Sequence, residues 1–270
     1  VIIIDFIADF FLYFNREIIV MPLIGIGYWV YRPRLFSHVL FLILLSMIVN
    51  TFLKCLFQVP LKPHLNQQGW YAFPSGHMQL ATVLYGRLWW EFRKTKWAQL
   101  LLALLGGIAW AMIWKNYHDF IDVAAGVIVG IGLLLGYSVF VSWRPVYNHP
   151  ERTGFFLLPL TSLLIVFMPS IPQHMAHVWN AQGGILGFTV GLVLLSFTNT
   201  IKINVSRWVS VLKVILGLGV FVVCSFSNKL LFGGLGYPWF PFLAFFINGL
   251  WLSAGPDFVA SCLLRRQPLA

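Results

Sequence analysis

Two polar islands interrupt a nearly continuous apolar sequence, Pro74-Ser75-Gly76-His77 and His118-Asp119-Phe120-Ile121-Asp122. Each lies at the edge of a stretch long enough to cross a bilayer, where ionisable groups are costly and usually mark function. Two histidines, a carboxylate four residues after one of them, and nearby lysines are the parts needed to move a phosphoryl group. Such a transfer asks for a nucleophile, a proton donor and fixed positive charge over the equatorial oxygens.

Pro74 stands where a helix would begin, with Ser75 and Gly76 in its first turn. Unpaired N–H groups and the macrodipole attract anions to such an end. Gly76 has no side chain to keep an oxyanion from the backbone, and His77 would point at whatever binds. The plainer alternative is a proline-serine turn with an interfacial histidine. His118 and Asp122 are four apart and would share a helix face. The carboxylate then accepts from one ring nitrogen and leaves the other as base or nucleophile. A buried histidine satisfied by its neighbour for structure is the alternative. Asp119 reads as a helix-start residue. Lys54, Lys62 and Lys115 are the cationic candidates, each set against a lysine snorkelling at a span end.

The elements that carry these residues are membrane spans. The chain is 59% hydrophobic and 10% charged, against roughly 25% charged in a soluble domain. The expected fold class is all-α, a polytopic integral membrane helical bundle with about nine spans of some 20 residues. Ile2 to Phe14 reads as interfacial, re-entrant or the end of a longer span. The spans are expected over 17–31, 36–57, 75–92, 97–114, 118–141, 154–168, 183–197, 208–226 and 239–253, with a polar, proline-bearing connection over 58–73. The division expected is a core carrying both islands over 1–145 and additional transmembrane helices over 146–270.

The net charge of +10 does not point to nucleic acid, because no soluble segment interleaves basic and aromatic residues. Cys55, Cys224 and Cys262 have no metal or disulfide spacing. Residues 1–30 show no arginine-led cleavable signal pattern; residues upstream of Val1 are left open. Alternating the spans puts Arg32, Arg34, Arg93, Lys94, Lys96, Arg144, Arg152, Lys202, Arg207, Arg265 and Arg266 on one side, and Arg16, Lys54, Lys62, Lys115 and Lys229 on the other. The positive-inside rule makes the first side cytoplasmic, so both islands are expected on the outer face.

Pro74 to His77, and His118 with Asp122 followed by Val123-Ala124-Ala125-Gly126, resemble two motifs of the type 2 phosphatidic acid phosphatase superfamily, P-S-G-H and S-R-x5-H-x3-D. Its first motif, K-x6-R-P, is altered: Lys54 is followed by Lys62-Pro63 with one extra residue between, and lysine replaces arginine. Ala111 and Met112 stand where the third motif has serine and a phosphate-clamping arginine, and Lys115 is a candidate substitute. The resemblance covers roughly Phe36 to Gly136, and a looser likeness to sphingosine-phosphate-phosphatase-like members continues beyond it. It implies that His118 attacks phosphorus to form a phosphohistidine, Asp122 orients it, and His77 protonates the leaving group. Lys54, Lys62 and the Ser75 and Gly76 backbone would hold the phosphate oxygens. No cofactor and no metal is expected, since eight carboxylates, few of them near the islands, are too few for a two-metal site.

Gly183, Gly187 and Gly191 form a small-residue face suited to close packing within the chain, or alternatively to a homodimer. Gly126 and Gly130 read the same way. His174 and His177 read as interfacial structure, with ligand or headgroup contacts as the alternative. Trp70, Trp89, Trp90, Trp143, Trp179 and Trp239 fit interfacial belts. The expected protein hydrolyses a lipid phosphate or pyrophosphate at the outer face of a membrane, a bacterial inner membrane by preference, with membrane lipids as further partners beside the homodimer alternative. A lipid phosphotransferase and a catalytically silent lipid-binding or transport protein are the alternatives.

Overall fold

The computed structural model describes residues 2–65, 69–198, 207–232 and 239–265. Lys202 and Arg266 of the charge count lie outside them, as do the side chains of Arg207, Cys224, Lys229 and Arg265. The described residues are helical apart from short connections. The helices are α1 (Ile2–Tyr13), α2 (Glu17–Ile26) with a π-helical turn after it (Gly27–Tyr31), α3 (Pro33–Phe57), α4 (Gly76–Phe92), α5 (Ala98–Trp114), α6 (Phe120–Ser142), the short α7 (Arg144–Tyr147), α8 (Pro150–Val166), α9 (Pro172–Thr198), α10 (Arg207–Phe232) and α11 (Trp239–Arg265).

Among the described residues, four helical stretches are long and apolar enough to cross a membrane: Pro33–Phe57, Phe120–Ser142, His174–Phe197 and Trp239–Cys262. The bent pair Ile2–Tyr13 and Glu17–Tyr31 makes a fifth if the two helices form one broken span. The expectation of nine spans is met only to that extent. α4, α5 and α8 form, but at 17 residues each they measure about 26 Å at 1.5 Å per residue, against a hydrocarbon core of about 30 Å. α4 also carries Gln79, Arg87 and Glu91, which lower its apolarity further.

The chain forms two compact units interleaved along the sequence. The first comprises Val1–Met21, Leu42–Trp143 and Leu163–Val178, and the second Pro22–Phe41, Arg144–Ser162 and Trp179–Ala270. Compactness thus divides the chain differently from the cut expected at residue 145.

Both islands belong to the first unit, and close packing of α4 on α6 brings them together. A Cβ on Gly126 would lie 2.7 Å from the Ser75 carbonyl oxygen, and one on Gly130 would lie 2.7 Å from Thr82 Cβ. The islands are also bonded directly: the Ser75 N–H donates to the Asp122 carbonyl at 3.0 Å. Gly126→Ala must therefore push α4 away from α6. The expected result is a loss of about 1–3 kcal/mol, the range for overpacking, read as earlier thermal unfolding in detergent; unchanged unfolding would contradict the close approach. α1 lies on α5, where Phe11 fills the space a Cβ on Gly107 would need.

In the second unit, the face of Gly183, Gly187 and Gly191 is filled by α11 of the same chain. A Cβ at these positions would lie 2.1 Å from the Phe242 carbonyl oxygen, 2.0 Å from that of Phe246 and 1.8 Å from Ser253 Oγ. The face thus follows the first of the two expectations, close packing within the chain. The same unit is tied by Tyr28 Oη and Trp29 Nε1, which donate to the carbonyls of Ser253 and Leu252 at 3.1 and 2.8 Å.

Candidate active site

Helix ends place the chemistry. α5 stops in a Schellman turn: Asn116 adopts φ 56°, its N–H bonds the Ile113 carbonyl, and the Tyr117 N–H bonds the Met112 carbonyl. The next residue is His118, and Asp119 caps α6. A capping box closes there, with the Asp119 side chain accepting from the Asp122 N–H and the Asp122 carboxylate accepting from the Asp119 N–H at 3.2 Å. His118 therefore precedes the helix. Its pairing with Asp122, Nδ1 to Oδ2 at 3.4 Å, comes from the carboxylate reaching back across the cap, not from the shared helix face the spacing suggests. Both side chains are buried. Burial first, and the nearby Lys54 ammonium second, hold the His118 pKa below its ordinary value, outweighing the opposite pull of Asp122.

α4 begins in a comparable way. Ser75 is its N-cap, accepting the Met78 N–H at 3.4 Å. With the Ser75 N–H committed to Asp122, the groups left to an incoming anion are the N–H donors of Gly76 and His77, which have no intrahelical acceptor. Ser75 was expected to offer its own backbone to phosphate; here it serves the cap and the join to α6. Gly76 is required for another reason than anion access. A Cβ there would lie 2.7 Å from Asn50 Oδ1. Asn50 is buried in α3, donating to Gln79 Oε1 at 2.9 Å and the Pro74 carbonyl at 3.3 Å, while Gln79 donates to Ser46 Oγ and its carbonyl, both at 2.9 Å. This network fixes the first turn of α4 against α3.

A cavity of about 570 Å³ opens here, and its walls include Lys54, Gly76, His77, Met112 and His118. Lys54 is one turn beyond Asn50 on α3. Its ammonium donates to the Tyr71 carbonyl and, at 3.2 Å, to that of Ala72, which leaves one of its three N–H donors for the cavity. Lys62 does not line the cavity. It pairs with Asp119 at 2.7 Å and with the Asn116 side chain, pinning the 58–65 connection to the α5–α6 turn.

Lys115 is displaced altogether. Its ammonium contacts Asp9 at 3.0 Å and Asp5 at 3.4 Å on α1, and the Asp9 hydrogen bond raises its pKa despite some desolvation. It does not line the cavity, so the proposed substitution for the missing arginine is corrected: two carboxylates that the fold brings over from α1 hold it. Met112 keeps the arginine's place as an apolar wall, with Ser75 Oγ 3.7 Å from its sulfur. Lys115→Ala should change kcat/KM less than about twofold, as for other exposed ion pairs that touch no substrate. A tenfold loss in phosphate release would return Lys115 to the site.

Sequence reasoning passed over Ser46 and Asn50, although with Lys54 they stand at i, i+4 and i+8 and mark one polar stripe on an apolar helix. It also set aside His174 and His177, which line the same cavity as His77 and His118.

The family model of the PAP2 superfamily matches residues 35–145, the stretch that holds both islands and Lys54. No curated protein and no solved structure matches the chain. Members of the superfamily are phosphatases, which supports a phosphatase here. Over residues 35–145, therefore, the chain is similar to the PAP2 superfamily.

Proposed function

We propose that the protein is an integral membrane lipid phosphatase working through a phosphohistidine at the outer face of its membrane. The observation that carries this is one cavity in which His118, backed by a buried carboxylate, lines the wall with His77, beside an ammonium and an open helix N-terminus. His118 Nδ1–H donates to Asp122, and the lone pair on Nε2 attacks phosphorus. The bond from phosphorus to the ester oxygen breaks, and His77 delivers a proton to that oxygen. The phosphohistidine is then hydrolysed, with His77 taking a proton from the attacking water. Lys54 and the Gly76 and His77 N–H groups meet the charge on the equatorial oxygens. The 3.4 Å between His118 and Asp122 is long for the working bond, as is common before substrate binds.

A lipid is favoured as substrate because the site borders apolar helices, and the outer face is proposed from the lysine and arginine asymmetry, which holds for nine alternating spans. Metal independence is part of the same proposal and rests on the small number of carboxylates in the sequence. Met112 in the clamp position favours a second reading, a silent lipid-binding protein. The test is phosphate release from a panel of lipid mono- and diphosphates in detergent, with and without chelator. Chelator-resistant release supports the phosphatase; binding without release supports the second reading; and release that chelator abolishes overturns metal independence.

A further inference from the structure

Part of the cavity wall comes from outside residues 35–145. His174 and His177 stand three apart at the start of α9, within the Leu163–Val178 segment of the first unit. They form a row with the 58–73 connection. Tyr71 stacks on His174 at 4.9 Å and 5°, and Trp70 meets His174 and His177 edge-on at 4.9 and 5.2 Å. The connection is held in place by paired backbone bonds, Ala72 N–H to the Val59 carbonyl at 2.7 Å and Leu61 N–H to the Trp70 carbonyl at 3.2 Å. The carbonyls of Tyr71 and Ala72 also receive Lys54, so the row adjoins the place of the phosphate. His174 is buried, and its Nε2 has no hydrogen-bond partner among the described residues; His177 is exposed and lines the cavity.

We propose that His174 and His177, with Trp70 and Tyr71, form a subsite for the uncharged, hydroxyl-bearing part of a phosphomonoester, next to its phosphate. The inference rests on the phosphatase reading above. Among the described residues that line the cavity, Lys54 is the one lysine or arginine. A second phosphate would bring further charge with no fixed cation to meet it. A neutral imidazole instead offers one donor and one acceptor, which suits hydroxyl groups. The unsatisfied Nε2 of His174 is a buried polar atom that a substrate hydroxyl would pair.

The experiment compares octanoylglycerol phosphate, which carries a free hydroxyl, with octyl phosphate and octyl diphosphate. Binding to the full chain in detergent is measured by calorimetry in a His118→Ala background, and phosphate release is measured in the parent protein. The hydroxyl-bearing probe should bind about tenfold tighter than the other two. His177→Ala should cut that preference to under threefold while leaving octyl phosphate unchanged, and His177→Gln, which keeps a donor and an acceptor, should restore part of it. Equal losses on both monophosphates, no loss, or tightest binding of the diphosphate would overturn the subsite. The preference with no release from any probe would sustain the subsite and reject the phosphatase reading. Release with a preference indifferent to His177 would do the reverse.

Discussion

His118→Ala should abolish phosphate release, by roughly 10⁴–10⁶-fold, the scale seen when a covalent nucleophile is removed. The protein should stay folded. His118 lies in a three-residue turn between helix ends whose own bonds, the Schellman turn of α5 and the capping box of α6, involve other atoms. Asp122→Asn should cost about 10²–10⁴-fold, because an amide that replaces the acceptor can hold the imidazole in the wrong tautomer. It should also weaken the start of α6, since the same carboxylate accepts the Asp119 N–H. The two effects separate in the assay: the lost cap lowers the unfolding temperature, and the lost orientation lowers kcat in the protein that remains folded. Near-normal release from His118→Ala would end the assignment of the nucleophile.

Lys54→Met carries the next largest effect. Met retains most of the stem and removes the charge, and Lys62 and Lys115 are committed to Asp119, Asp5 and Asp9. A drop of about 10²–10³-fold in kcat/KM is expected, equivalent to about 2.7–4 kcal/mol of lost transition-state stabilisation. The pH profile should move as well. In the proposed mechanism His118 attacks as neutral imidazole, so activity should fall as pH drops through its pKa. Burial and Lys54 hold that pKa down, and the acid limb of the parent enzyme should lie below about 6.5, the unperturbed value. Removing the ammonium relieves the second cause and moves the limb upward. A limb that stays in place in Lys54→Met would mean that Lys54 does not act on His118.

Much of the site could be read from residue type and spacing, and the parts that could not share a physical cause. The islands, Lys54 and the close approach at Gly126 were legible because each is a local pattern: a cap, a polar residue on an apolar helix, a glycine at helical spacing. Lys115 was misplaced because its destination depends on α1, more than a hundred residues earlier, whose Asp5 and Asp9 give no sign of it in sequence. The same holds for His174 and His177, which reach the cavity from beyond the matched family region. The His118 pairing was found for an incorrect reason: spacing of four fits a helix face, but it also fits a residue just before a capping box. The runs expected as spans all fall on helices, but whether a helix of 17 residues crosses a bilayer depends on its tilt and neighbours, which hydrophobicity along the chain does not encode.

The Leu163–Val178 segment has a consequence for engineering. Its Met168 and Val178 pack with Cys55 in one apolar cluster, against Phe52 and Met175. A fragment of residues 35–145, cut out for transplantation into another membrane scaffold, would carry both islands and still leave this patch of α3 bare. It would also lose Asn15, whose amide donates to the His77 carbonyl at 2.9 Å. The recognisable signature is therefore shorter than the modular piece. A chimera built to keep the cavity must take Val1–Met21 and Leu163–Val178 along with it, and a deletion series should show function ending well outside the motif boundaries.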